Sequence, residues 1–196
     1  MVVYADSNPV DTLRAYPVLD KAATRLLVER LFPDAQIEEI GDQLLSDALN
    51  PPADVAYVGC YSGVDLVCCW RLMPDRPSQL DDSVRTASER RNIYLQAVHA
   101  DADWTMFGVW QNGELTRSLS ARPDPGVIED IGDHLKFEEP HWTGDEDLMW
   151  LGEAALRDLF GIVLDGEDRH DDVEAELIPV VGYKISPDTA PSDAAP

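Results

Sequence analysis

Residues Asn92–Ala121 read NIYLQAVHADADWTMFGVWQNGELTRSLSA. The dipeptide Asn112-Gly113 sits between two β-prone runs. It is the strongest short hairpin signal, because a type I′ turn needs positive φ at both central positions. A two-residue turn there pairs Gln111 with Glu114, Trp110 with Leu115, Gly108 with Arg117, Met106 with Leu119 and Trp104 with Ala121. A second turn at Asp101-Ala102 pairs His99 with Trp104, Ala97 with Met106, Leu95 with Gly108 and Ile93 with Trp110. Alternation then puts Ile93, Leu95, Ala97, His99, Trp104, Met106, Gly108, Trp110, Leu115, Arg117 and Leu119 on one core-facing side. Tyr94, Gln96, Val98, Thr105, Phe107, Val109, Thr116, Ser118 and Ser120 take the other. HADAD is therefore a hairpin bend, where Asp is favoured for its local hydrogen bonds, and not a metal site. His99 points to the core face, whereas Asp101 and Asp103 do not.

This register sets an Arg into a core face opposite a glycine. Gly108 leaves a gap in which a guanidinium could lie, and a buried Arg needs a partner. Two readings stay open. One is a structural ion pair with an acid from elsewhere; the other is a pocket for an anionic or polar ligand, walled by Arg117, His99 and Trp104.

Outward from the meander, VVYA (Val2–Ala5) reads as a short buried strand, and Asp6 at its end as a cap or a ligand contact. Residues 18–32 carry Leu19, Ala22, Ala23, Leu26, Leu27 and Leu31 at helical spacing, with Asp20 near the start and Pro33 as the stop. QIEEI is a short strand. Asn50-Pro51-Pro52 is a loop. Residues 53–61 form a strand by their β-branched and aromatic content. VDLVCCWRLM is a strand or a helix, and residues 80–91 a polar surface helix. Residues 127–142 are extended and acidic. Residues 151–164 form an amphipathic helix with Leu151, Ala155, Leu156, Leu159, Phe160 and Val163 inward. Residues 173–185 are a strand kinked at Pro179. The fold class that follows is α/β or α+β. It has one globular domain over 1–185, with a single mixed sheet including the antiparallel meander 92–121 and helices packed on it. Residues 186–196 are a disordered tail.

The chain has 196 residues and a net charge of −23. Residues 124–176 carry 18 acids against 3 bases. That sign repels nucleic-acid phosphates and anionic lipid, so neither direct nucleic-acid binding nor membrane association is expected. It suits solubility, a basic protein partner or mimicry of nucleic acid. Three Lys against twelve Arg, with abundant Ala, Asp and Val, suits a high-GC genome or a halophile. Cys60, Cys68 and Cys69 are odd in number and two are adjacent, so they form no disulfide framework, and free buried thiols in a reducing cytoplasm are expected. MVVYADSNP lacks the basic start and apolar core of a signal peptide.

Four stretches together, VVYAD, YVGCYSGVDLVCCWRLMPDRPSQL, DWTMFGVWQNGELTRSLSARPDPGVIEDIGDHLKFEEPHW and LGEAALRDLFG, resemble a family of actinobacterial proteins that constitute a domain of unknown function. The resemblance spans Val2 to Ile185, favours the high-GC reading and implies no activity. The chain is shorter between Trp142 and Leu151 than the resemblance implies.

Among candidate chemical groups, Gly59-Cys60-Tyr61-Ser62-Gly63 follows a strand but places Tyr61 where a nucleophile elbow needs Ser. Cys60 with His99 as base is one candidate catalytic pair. The turn with Asp65 is a candidate ligand-binding loop that lacks both nucleotide signatures. His134 and His141 among Asp130, Asp133, Glu138 and Glu139 are suitable metal-ligand types at no recognised metal spacing. DGEDRHDD lacks the alternation and the glycine of a calcium loop. No cofactor is indicated. Three function classes follow. The first is a cytoplasmic binding or regulatory protein whose small-molecule pocket joins Arg117, His99, Trp104, Asp6 and Asp65. The second is a hydrolase using Cys60 and His99, or a metal at His134 and His141. The third is an acidic interaction protein. Whether the chain is an enzyme stays open.

Overall fold

β1 (Val2–Ala5) is buried along its whole length because it is the middle strand of a nine-stranded sheet. The structure is a computed structural model, in which residues 1–87, 91–99, 102–124, 126–143, 148–164, 167 and 169–187 are described. The other strands are β2 (Ala35–Leu44), β3 (Val55–Tyr61), β4 (Val64–Cys68), β5 (Asn92–His99), β6 (Trp104–Gln111), β7 (Glu114–Arg122), β8 (Gly126–Ile131) and β9 (Pro179–Pro187). Their spatial order is β2-β9-β3-β4-β1-β5-β6-β7-β8, so the sheet is open. The antiparallel pairing expected of the meander extends to every pairing of the sheet. VDLVCC resolves as a strand, followed by a helical turn at Trp70–Leu72. β9 runs two residues into the stretch read as a tail; residues 188–196 and Asp101 lie outside the described residues.

Among the described residues six helices flank the sheet: α1 (Pro9–Arg14), α2 (Lys21–Leu31), α3 (Leu45–Ala48), α4 (Asp82–Thr86), α5 (Glu139–Thr143) and α6 (Leu148–Phe160). Asn8 and Asp20 cap α1 and α2 through their side chains, satisfying backbone N–H groups at the helix starts. On one face α1, α3 and α6 pack against Val3, Ala5, Leu66, Phe107, Val109 and Leu119. The inward α6 residues Leu151, Ala155, Leu156, Leu159 and Phe160 follow the predicted stripe. On the other face α2 and α4 pack against Val2, Tyr4, Val58, Leu95, Met106 and Trp110. α2 buries Leu27, Val28 and Leu31, while Leu26 of the predicted stripe is exposed.

The hairpin β5–β6 has the predicted register, from Ile93 opposite Trp110 to His99 opposite Trp104. The Asn112-Gly113 turn has positive φ at both residues, 54° and 82°. Gln111 faces Glu114 and Trp110 faces Leu115, as the turn dictates. Beyond that point the expected register fails. Val109 faces Arg117, so Thr116 is an extra residue, a β-bulge. Its hydroxyl donates to the Val109 carbonyl at 3.0 Å, occupying a group the bulge removes from the ladder. A one-residue slip reverses every side chain after it. Arg117, Leu119 and Ala121 therefore join Thr105, Phe107 and Val109 on the α6 face, and Ser118 and Ser120 move to the Trp104 face. The space over Gly108 is filled by Trp110 and Pro77 instead of a guanidinium.

The bulged Thr116 carbonyl presses against Gly132, whose φ is +84°. Any Cβ there would overlap that carbonyl oxygen. Gly132→Ala should therefore cost about 2 kcal/mol or more, from strain and displacement of the bulge together. Its denaturation midpoint, compared with that of Gly126→Ala, which also has positive φ but nothing within 4 Å, separates the contact from the backbone effect. Equal losses would show that the bulge contact is not what demands glycine.

Candidate functional site

Arg117 is the largest of the fully buried side chains. Its Nε donates to Glu138 Oε1 at 2.8 Å and its Nη2 to Glu138 Oε2 at 2.5 Å. Its Nη1 reaches Asp130 Oδ1 at 2.5 Å and the carbonyls of Ser118, Ile131 and Gly132. Glu138, equally buried, also accepts from Leu135 N at 2.7 Å and Trp142 Nε1 at 3.3 Å. The fork is bidentate and every guanidinium nitrogen is engaged. Burial works against the charge, but the bonds Arg117 donates to Glu138 and Asp130 outweigh it and hold its pKa above the ordinary value. The ion-pair reading of this residue is what the geometry realises, on the face opposite to the one expected. Among the described residues, neither Arg117 nor Trp104 lines the cavities that hold Asp65 and His99, so the composite pocket is not formed as expected. Trp104 donates to Ser120 Oγ at 3.0 Å, and Ser120 donates in turn to the Asp75 carbonyl at 2.7 Å. Glu129 beside them accepts from Ser78 N at 2.9 Å and from the hydroxyls of Ser78 and Ser118. These bonds bind the loop of residues 75–79 to the sheet.

The remaining predicted residues separate into different places. Asp6 and Asp65 are brought together by Arg91, which sequence reading did not single out. Arg91 Nε lies 3.0 Å from Asp6 Oδ1, and Arg91 Nη1 donates to Asp65 Oδ2 at 2.9 Å. The pairings Ala5 with Val64 and Ala5 with Asn92 set these side chains side by side across three strands. Arg91 and Asp65 line a cavity of about 760 Å³ with Asp20, Ala23, Leu26, Glu29 and Arg30 of the α2 region and Cys60, Tyr61 and Ser62 of the β3–β4 turn. Cys60 is buried, and burial first, then the Asp65 charge, push its thiol pKa well above the ordinary value. A catalytic thiol needs the opposite shift.

His99 is elsewhere. Cys60 is level with Asp65, Tyr4 and Ile93 across the sheet, and His99 lies six residues further along β5. At about 3.3 Å per residue and 4.8 Å per strand, that separates Cys60 from His99 by roughly 20 Å or more, so they form no pair. His99 is exposed beside Trp70, their rings 5.6 Å apart and inclined by 58°. Both line a second cavity of about 430 Å³. His134 stacks on Trp142 at 4.5 Å and lies 3.5 Å from Asp130 Oδ2, at the outer edge of the Arg117 cluster. Among the described residues no three His, Cys, Asp or Glu side chains are grouped to hold a metal ion. No helix among them is long and apolar enough to cross a membrane.

Fold and clusters together define an α/β protein built on one open antiparallel sheet, its buried arginine used for structure. The sequence matches the profile of a family of unknown function (DUF6928) over residues 1–183, and the chain belongs to that family. No curated protein and no solved structure matches it.

Arg117→Leu leaves Glu138 buried without its partner and should cost about 3–5 kcal/mol, much of it recovered in Arg117→Leu/Glu138→Leu. Additive losses in urea denaturation of the double-mutant cycle would contradict a coupled pair. Glu129 and Asp130 are both held below ordinary carboxylate pKa values: burial opposes this, but bonds from Ser118 and Ser78 (Glu129) and from Arg117 (Asp130) prevail. Their folded pKa values are depressed, so their stabilisation is complete above the unfolded carboxylate range near pH 4. It is lost as pH falls below that range. Acid unfolding of Ser118→Ala, which loses one Glu129 bond, should show a shallower pH dependence than wild type.

Proposed function

We propose that the chain is a small-molecule binding protein whose site is the cavity between α2 and the β3–β4 turn. The observation that carries this reading is the half-buried Arg91, bridged to Asp65 and Asp6 on the wall of that cavity. Arg91 takes the anion-recognising role that sequence reading gave to Arg117. The volume lies within the range of ligand sites, roughly 300–1,000 Å³. The wall carries both signs: Arg30 and Arg91 against Asp20, Glu29 and Asp65. A ligand of one charge meets repulsion from part of it; a zwitterion satisfies both parts. Ala23 and Leu26 supply an apolar strip for the rest of such a molecule, and exposed Val18 lies at the same cavity. The ligand class is therefore a small zwitterion, with an α-amino acid as the simplest example. The geometry lends no support to a hydrolase using Cys60 and His99, since the thiol is disfavoured as an anion and the imidazole lies in another cavity.

The test is isothermal titration of the protein with the common amino acids one by one, on wild type and on Arg91→Gln. Binding of one or a few by wild type, weakened about tenfold or more in Arg91→Gln with melting temperature retained, is the expected result, in line with loss of a charge-assisted contact. Absence of binding by all of them, or equal binding by Arg91→Gln, would overturn the reading.

A further inference from the structure

The second cavity shares no lining residue with the first. It lies at the His99 end of β5, where the loop of residues 49–51, the turn Trp70–Leu72 and α6 converge. Here the two cores meet around the end of the sheet. Leu49 and Leu156 belong to the core on the α6 face, and Ala97, Trp70 and Met73 to the core on the other. From α6 come Met149, Glu153 and Leu156, spaced i, i+4 and i+7 along one helical stripe. Met1, Met73 and Met149 are three of the four methionines in the chain, and all three line the cavity. Thioether walls are polarizable, adapt to the shape of what they enclose and favour contact with aromatic rings.

The polar groups of this wall are largely committed to one another. Trp70 Nε1 donates to Asn50 Oδ1 at 3.0 Å. Gln96 Nε2 donates to the Gly152 carbonyl at 3.2 Å, and the Gln96 carbonyl accepts from the Met1 amino group at 2.5 Å. Glu153, half-buried on α6, is already engaged within the fold. Among the described residues no Lys or Arg lines the cavity. An ion of either sign entering here would lose its hydration with no uncommitted countercharge to replace it, which is costly. An uncharged apolar molecule gains from leaving water, and it also covers Leu164, exposed at the same cavity. His99 stands apart from the committed groups. Its ring leans on Trp70 at 5.6 Å and it is exposed, so its imidazole nitrogens are placed to exchange one hydrogen bond with a ligand.

We infer that this cleft binds a small uncharged aromatic molecule carrying a single hydroxyl, a phenol or an aromatic alcohol, with its ring against Trp70 and the methionines and its hydroxyl at His99. The volume of about 430 Å³ lies within the range of ligand sites, roughly 300–1,000 Å³.

The experiment is titration calorimetry of the whole chain with 4-propylphenol and with propylbenzene, which lacks the hydroxyl. Both should bind. Neither 4-propylbenzoate nor 4-propylbenzylammonium, the charged relatives, should displace 4-propylphenol at equal concentration. Two variants at exposed positions probe the cleft without disturbing either core. His99→Ala should weaken 4-propylphenol about fivefold, the worth of one hydrogen bond, and leave propylbenzene unchanged. Leu164→Asp sets an unpartnered charge at the cleft and should weaken both compounds about tenfold or more. Arg91→Gln should leave both unchanged, so failure of the zwitterion site and failure of this one give different patterns. No binding of 4-propylphenol at millimolar concentration would overturn the inference. So would displacement by either ion, wild-type affinity in Leu164→Asp, or a His99→Ala variant that treats the two compounds alike.

Discussion

One extra residue in β7 governs much of this molecule. Without the Thr116 bulge, Arg117 would project toward the face of Met106 and Trp110, where the space over Gly108 is already filled by Trp110 and Pro77. With it, the guanidinium crosses to the α6 face and meets Glu138, 2.8 and 2.5 Å from its two carboxylate oxygens. Phe137, the neighbouring residue, lays its ring 5.2 Å from Phe107. The segment after β8 is thus fastened to the sheet by a buried ion pair and an aromatic contact together. Glu138 also accepts from the Leu135 N–H, so the carboxylate that binds Arg117 organises the turn that presents it. Bulge, glycine and ion pair form one unit: Thr116 displaces Arg117, Gly132 makes room for the Thr116 carbonyl, and the Gly132 carbonyl itself accepts from Arg117 at 3.3 Å.

That unit marks where sequence reading succeeds and where it stops. The β5–β6 register was legible because both strands alternate strongly and a slip would expose a whole apolar face. The Asn112-Gly113 turn was legible from local chemistry alone. The bulge three residues beyond that turn was not, because nothing near Thr116 requires it. Its cause lies at Gly132 and Glu138, brought close only when β8 pairs with β7. The buried Arg itself was a correct signal: it was recognised as needing a partner, and of the alternatives left open the structural pair is the one formed. Helices α2 and α6 were readable from their spacing. Strand β2 was longer than its apolar content suggests, because it is an edge strand with Glu38, Glu39 and Asp42 exposed. Charge on an edge hides a strand from pattern reading while protecting it from pairing with another chain.

The expected composite pocket came apart for the same reason. It joined residues by their shared face in a register that changes midway along β7, and by the assumption that strand ends near in sequence meet in space. Asp6 and Asp65 do meet, but through β1 lying between β4 and β5, a strand order that brings Arg91 to them and leaves His99 far along β5. Trp70 joins His99 because the chain turns after β4 back over the end of that strand. No local motif encodes either meeting.

The scarcity of lysine takes on a physical sense in this architecture. Arg117 joins β7 to Glu138, Arg91 joins β5 to Asp6 and Asp65, and Arg157 of α6 binds Asp172 through two nitrogens at 3.1 and 2.6 Å. Arg71 donates to the Ile185 carbonyl, Arg76 to that of Ile128 and Arg14 to that of Asp171. Each of these links distant stretches of chain by directed bonds that a planar fork can make in several directions at once, which an ammonium cannot. Arg117 alone of the described arginines is buried; the others named here lie at or near the surface, with their bonds committed to carboxylates and carbonyls, while most of the described acids face water. The acids outnumber the bases by 38 to 15, so the surface field is negative. Such a surface discourages anions at a distance, and the wall that Arg30 and Arg91 share with Asp20, Glu29 and Asp65 is a place where both signs stand side by side.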